Sequence, residues 1–470
     1  MMSPTRERLV FMCNGTIVRQ RIATTVFLGL ALRALVPCHA QDHEDALADY
    51  VAAPDASFAW KVRRRGLAGP ASYAELTLTS QTWRGIDWKH QLFIVRPSTA
   101  AANDRHAMLI IAGSSWKDEF DQPAAAAALP RAAGMFALLS EKMRTPVAIL
   151  LQVPFQPMFG GKREDQLIAM SFDKYLLTGD AQWPLLLPMV KAAVRAMDAV
   201  QDFAGEEWSM KLKTFTVAGA SKRGWATWLT GAVDRRATAL VPMVIDMLGI
   251  EAQLKHQNVV WGDVSRRIGD YTRLDLPRRL NSDAGRKLQS IVDPIHYRDR
   301  LTQPKLILIG TNDHFWPLDA LNLYWDDLVG PKHIVYVPNN RHRITDFARL
   351  TGSLIAMHRH TVTGRKLPEL SWKFSDREDG VTLRVHSWPE PQRVVVWSTS
   401  SQTRDFRKAR WSSQPAEADG NDFVYTVQQP DAGWTAMFGE AIYAGSVAPF
   451  YLSTNMKIMA AAVANAEVPQ

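Results

Sequence analysis

Six short runs of continuous apolar residues recur through the middle of the chain. They are 107–112 (AMLIIA), 146–153 (PVAILLQV), 214–219 (TFTVAG), 239–247 (ALVPMVIDM), 305–310 (KLILIG) and 333–338 (HIVYVP). A strand that is apolar at every position, not at alternate ones, is covered on both faces, which is the state of a parallel strand between two helical layers. The stretches between the runs carry a helical period. The clearest is 184–203, where Pro184 suits a first helical turn and Leu186, Met189, Val190, Ala193, Val194, Met197 and Val200 follow at three- and four-residue steps. Strands alternating with helices predict an α/β fold with a mostly parallel sheet covered on both faces. Upstream, 76–83 and 89–96 flank Arg84–Asp87 and read as a hairpin closed by Pro97.

Three segments depart from this alternation. Residues 250–300 are polar and basic without a strand signal, and predict a cap-like insertion over the strand ends. From 370 to 455 short alternating runs are separated by turn residues at close spacing, which predicts a C-terminal all-β, sandwich-like module over 368–455 after an α/β domain over 41–366. Residues 1–40 read as an export signal. Arg19 and Arg21 precede the apolar run 22–32, and Cys38 and Ala40 stand at −3 and −1 of a cut after Ala40. The run is too short to span a bilayer as an anchor. An amphipathic N-terminal helix is the alternative, and Met1, Met2 or Met12 is the start. Lipid attachment at Cys38 is disfavoured, because Val36-Pro37 stand where a small residue is expected. The expected localisation is therefore periplasmic or secreted. Both cysteines, Cys13 and Cys38, fall in this segment, so the mature chain has no disulfide, thiol nucleophile or Cys-ligated metal.

The net charge of +8 over 470 residues is partly a property of that leader, whose five arginines against Glu7 contribute +4. The remaining excess is too thin for a nucleic-acid footprint. A 47% hydrophobic share excludes a disordered chain and a multi-span membrane protein. No feature sets an oligomeric state.

The chemistry concentrates at TFTVAGASKRG (214–224), where a buried run meets Gly219-Ala220-Ser221-Lys222-Arg223-Gly224 and a helix begins. A serine on a sharp strand-to-helix turn needs small neighbours because the backbone there is strained and crowded. The spacing is G-x-S-x-x-G, with Arg223 where a second glycine is usual; a glycine-rich turn with an N-capping serine is the plainer reading. Two later runs end in chemistry of their own, KLILIG in Thr311-Asn312-Asp313 and HIVYVP in Asn339-Asn340-Arg341-His342. Nucleophile, acid and histidine then occur in the order of a hydrolase on this architecture, each at the carboxyl end of a strand, where open α/β sheets bind ligands. Ser221 is the expected nucleophile, His342 the general base and then acid, and Asp313 the group that orients the imidazole. The alternative for Asp313 is a helix cap near Pro317, and for His342 a loop histidine.

The expected oxyanion donors are the backbone N–H of Lys222 and one from the loop after AMLIIA, taken as Ser114. Arg223, Trp116 and Trp316 are candidates for a substrate pocket. Lys222 and Arg223 would either favour an anionic substrate or pair with acids. The histidines lack metal-ligand spacing, no phosphate-binding glycine loop is present, and no cofactor or metal is expected. Glu164-Asp165 reads as a solvated helix start.

The segments 163–201, 219–236 (GASKRGWATWLTGAVDRR) and 291–342 resemble the PhoPQ-activated pathogenicity-related protein family, over about residues 43–455. That family is itself similar to autocrine proliferation repressor-like proteins. The resemblance implies an α/β-hydrolase fold, export, and a link to envelope stress or antimicrobial-peptide resistance, and it carries Ser221, Asp313 and His342 onto a hydrolase triad. Arg341 and Arg343 depart from the smaller residues expected beside the histidine. The elbow also resembles that of glucuronoyl esterases, with Lys222 in place of an arginine. The expected function is an exported serine hydrolase, esterase or peptidase, acting on a small ester, a saccharide or a peptide. The alternative is a non-catalytic protein on the same scaffold that sequesters peptides or envelope components. Binding of nucleic acid and a transmembrane span in the mature chain are not expected.

Overall fold

A two-residue hairpin turn of type I′ needs positive φ at both residues to match the twist of its strands, and Arg84 (φ 53°) and Gly85 (φ 75°) supply it. The computed structural model describes residues 45–99, 105–122 and 132–461, so the export-signal reading of 1–40, with Cys13 and Cys38, lies outside the described residues. After the short helix α1 (Ala46–Ala52), three antiparallel strands follow: β1 (Ala59–Ala68), β2 (Ala71–Trp83) and β3 (Ile86–Arg96). The apolar runs then become β4 (His106–Ile111), β5 (Val147–Leu150), β6 (Thr214–Ala220), β7 (Ala237–Met243), β8 (Lys305–Gly310) and β9 (Lys332–Val337). Their order is β3-β5-β4-β6-β7-β8-β9, antiparallel at β3–β5 and parallel from there on.

Each of these strands feeds two cores. Ile307 and Ile309 of β8 and Ile334 and Tyr336 of β9 face one. Leu306, Leu308, Val335 and Val337 face the other. Helices α3 (Asp165–Thr178), α4 (Leu186–Trp208) and α5 (Lys222–Val233) pack into the first core. Helix α2 (Ala132–Met143) contributes to the second. Residues 250–300 hold short helices, α6 (Ile250–Trp261), α7 (Gly269–Thr272), α8 (Leu276–Arg279) and α9 (Asp283–Val292), and no strand. Helix α10 (Phe347–Thr363) completes the second layer. This is the α/β-hydrolase architecture, with a helical segment inserted between β7 and β8.

The C-terminal strands are β10 (Glu369–Arg377), β11 (Gly380–Trp388), β12 (Arg393–Ser401), β13 (Ser412–Pro415), β14 (Glu417–Asp419), β15 (Asp422–Gln428), β16 (Trp434–Tyr443), β17 (Phe450–Ser453) and β18 (Lys457–Ala460). They make two antiparallel layers. One is β10-β11-β15-β14; the other is β17-β16-β12-β13, with β18 also on β16. The layers meet face to face, and a Cβ on Gly439 of β16 would sit 2.9 Å from Leu383 of β11. The second layer continues the central sheet, because β17 pairs with β9 through Ser453 and Ile334. Arg349 of α10 reinforces the junction by giving Nε and Nη2 to the fully buried Glu440 of β16, at 2.8 and 2.7 Å. Among the described residues no helix is long and apolar enough to cross a membrane.

Candidate active site

Ser221 joins β6 to α5 in a strained backbone conformation, φ 58° and ψ −129°. Such a residue costs on the order of 1–3 kcal/mol and persists only where its surroundings impose it. Here its N–H donates to the carbonyl of Met243 at 2.8 Å, and a Cβ on Gly219 would lie 2.5 Å from the Arg223 carbonyl. Gly224, displaced by one position from the usual spacing, is where the helix meets the next strand: a Cβ there would lie 2.7 Å from Ile245.

The position left to Arg223 is used structurally. The side chain is buried, gives Nε to the Val153 carbonyl at 2.5 Å and pairs through Nη2 with Glu164 at 2.6 Å. Its guanidinium also fills the space that a side chain at Gly113 would need. Lys222 Nζ pairs with Glu164 at 3.0 Å and Asp165 at 3.3 Å. Two cations thus face two acids, and Glu164-Asp165, which does start α3, is also an ion-pair partner. Burial raises the Glu164 carboxyl, but the Arg223 hydrogen bond and the charges of Arg223 and Lys222 outweigh it and hold the group at about 2.

His342 Nε2 stands 2.9 Å from Ser221 Oγ, and His342 Nδ1 stands 2.8 Å from Asp313 Oδ2. The other carboxylate oxygen of Asp313 accepts the Phe315 N–H at 2.9 Å, and the Phe315 ring lies 4.2 Å from the imidazole. The flanking Arg341 and Arg343 are exposed and leave the space between His342 and Ser221 clear. The acid and histidine loops are tied together: Asn312 N–H donates to Asn340 O at 2.8 Å, and Asn339 N–H to Thr311 Oγ1 at 2.9 Å. Asn340 Oδ1 accepts from Thr345 N–H at 2.7 Å and so shapes the turn that carries His342.

A cavity opens beside Ser221 and His342, walled by Phe172, Trp225, Phe315 and Trp316 and by apolar side chains of the 250–300 segment. Trp316 lines it; Trp116, Arg223 and Ser114 do not. Trp116 packs edge-on against Phe120, 5.5 Å between ring centres. Ser114 lies on the loop after β4, its carbonyl accepting from Gln156 Nε2 at 3.0 Å. Lys222 opens α5, so its backbone N–H has no partner within the helix. No cluster of metal-ligating side chains is found among the described residues.

Residues 47–407 match the PhoPQ-activated pathogenicity-related protein family. The chain belongs to that family. Autocrine proliferation repressor protein A of Dictyostelium discoideum is 32% identical over 435 residues, covering 84% of this chain and 85% of that one. Acetyl esterase Axe7A of Xylanibacter ruminicola is 25% identical over 166 residues, 35% of this chain and 34% of the other. Among solved structures, an acetyl xylan esterase from Paenibacillus sp. R4 is 13% identical with a TM-score of 0.45, covering 68% of this chain and 92% of its own.

Several residues that hold the site escape a sequence reading. Gly113 and Glu164 act through Arg223, which is far from both in the chain, and the adjacent cations at 222–223 were the available signal for an acidic partner. Asp246, just beyond β7, is fully buried and accepts from Tyr324 Oη at 2.8 Å. Burial, with the charges of Asp313 and Asp319 added, pushes its carboxyl up to about 8 against that hydrogen bond.

Proposed function

We propose that this protein is an exported serine hydrolase that cleaves an ester through an acyl-enzyme on Ser221. What carries the reading is the unbroken hydrogen-bonded chain from Ser221 Oγ through His342 to Asp313, at 2.9 and 2.8 Å, on the wall of a cavity. His342 Nε2 takes the Ser221 proton as Oγ attacks the ester carbonyl. Asp313 holds Nδ1–H and stabilises the imidazolium. The carbonyl–alkoxy bond then breaks, and the alcohol leaves with the proton from His342. Water attacks the acyl-enzyme by the same route and releases the acid. The Lys222 backbone N–H, with a donor from the 113–115 loop, supports the oxyanion. Export rests on the basic and apolar pattern of 19–40, and ester cleavage is favoured by the partial similarity to an acetyl esterase.

The test is labelling by a fluorophosphonate of the wild type beside Ser221→Ala and His342→Ala. Labelling of the wild type alone supports an activated serine. A folded wild type that resists the probe would put the scaffold to use as a binding protein instead.

A further inference from the structure

The cavity beside Ser221 has a wall that is mostly hydrocarbon. The cap supplies Leu254, Ile268, Leu276 and Leu280, and the core supplies Trp225 and Ile245. The few polar side chains in the wall satisfy one another. Tyr271 Oη donates to Asp165 Oδ1 at 3.1 Å, and Lys222 Nζ pairs with Asp165 at 3.3 Å and with Glu164 at 3.0 Å. The Lys222 charge is therefore compensated before a ligand arrives. A carboxylate or sulfate finds no uncompensated partner there, and a sugar would press its hydroxyls against leucine and isoleucine at a desolvation cost. Seventeen residues from the core, the 250–300 segment and the loops of the site line it, more than an acetyl group can touch at once.

We infer that the cavity takes a bulky apolar group, aliphatic or aromatic, of an ester whose carbonyl sits at Ser221; this rests on the serine-hydrolase reading above. The cap helices select substrates by their hydrocarbon, and the group enters on either the acyl or the alcohol side of the scissile bond.

Two ester series distinguish the sides. One is 4-nitrophenyl acetate, butyrate and octanoate; the other is the acetates of ethanol, hexanol and 2-naphthol. Fluorophosphonate labelling of the same preparation runs beside them. In one series kcat/KM should rise by about fourfold for each methylene that enters the cavity. Leu254→Trp, which narrows the cavity from α6, should lower the ratio of long-chain to acetyl turnover by about tenfold or more, with a thermal melt reporting that it is folded. A labelled enzyme whose two series are flat or fall with size overturns this inference and leaves the serine hydrolase standing. A folded Leu254→Trp with an unchanged ratio also overturns it. A wild type that neither labels nor turns over any ester removes the reading beneath it.

Discussion

The side-chain amide of Asn312 donates to the carbonyl oxygen of Ala409 at 2.7 Å, which fastens the loop carrying Asp313 to the C-terminal module. The histidine loop is held by the same segment, since Asn339 exchanges two hydrogen bonds with the Trp411 backbone, at 3.1 and 2.8 Å. Arg404 adds an ion pair to Asp319 at 2.8 Å. The β-module thus serves as a clamp on two loops of the site.

Asn312→Ala should release the acid loop while leaving the cavity intact. A displacement of about 1 Å costs on the order of 100-fold in rate, so kcat should fall by about 10- to 100-fold with KM changed little. Steady-state kinetics on a 4-nitrophenyl ester reads the split. A rise in KM at constant kcat would place Asn312 in substrate binding instead.

Gly113→Ala tests the seat of Arg223. The added methyl overlaps the guanidinium, and moving that group breaks its bonds to Val153 and Glu164. Leaving a buried charge unpaired costs about 3–5 kcal/mol, so a drop in melting temperature of several degrees is expected, with loss of fluorophosphonate labelling. Unchanged melting would mean that Arg223 has another place to go.

Glu164→Gln should cost stability at neutral pH and alter the acid limb. A carboxyl held near 2 in the fold, against an ordinary value of 4.5, contributes stability that is present above 4.5 and lost as pH falls through 2. The variant should lose less stability over that window than the wild type. Thermal melts between those limits report it.

Asp246→Asn should do the reverse at the alkaline side. Its folded carboxyl sits near 8 against an ordinary 3.8, so the folded state holds a proton that the unfolded chain releases, and stability falls as pH rises from about 4 to about 8. Asparagine keeps the acceptor for Tyr324 and removes the titration. Its melting temperature should vary less over that interval, and an identical pH dependence would mean that Asp246 is ionised in the fold.

The parallel sheet was legible because strands buried on both faces are apolar at successive positions, as 306–309 and 334–337 show. The residues after them share one sheet edge because the strands run parallel, which is why Ser221, Asp313 and His342 could be considered together. What the sequence hides is pairing at a distance. Glu164 looks like any acidic helix start until Arg223 and Lys222 are brought to it, and Trp116 looks as available as Trp316 until Phe120 covers it. The strands β14 and β18 are too short to show a period. The junction of β17 with β9 depends on register, which composition does not record.

That junction decides how the molecule comes apart. Proteolysis or truncation near Pro368, where the texture of the sequence changes, would strip β9 of its neighbour and strand Arg349 in the interior without Glu440. An apolar edge strand so bared invites aggregation. The two halves should therefore melt in one calorimetric transition, and the α/β half expressed alone should come out of the cell insoluble, whatever chemistry its serine is able to perform.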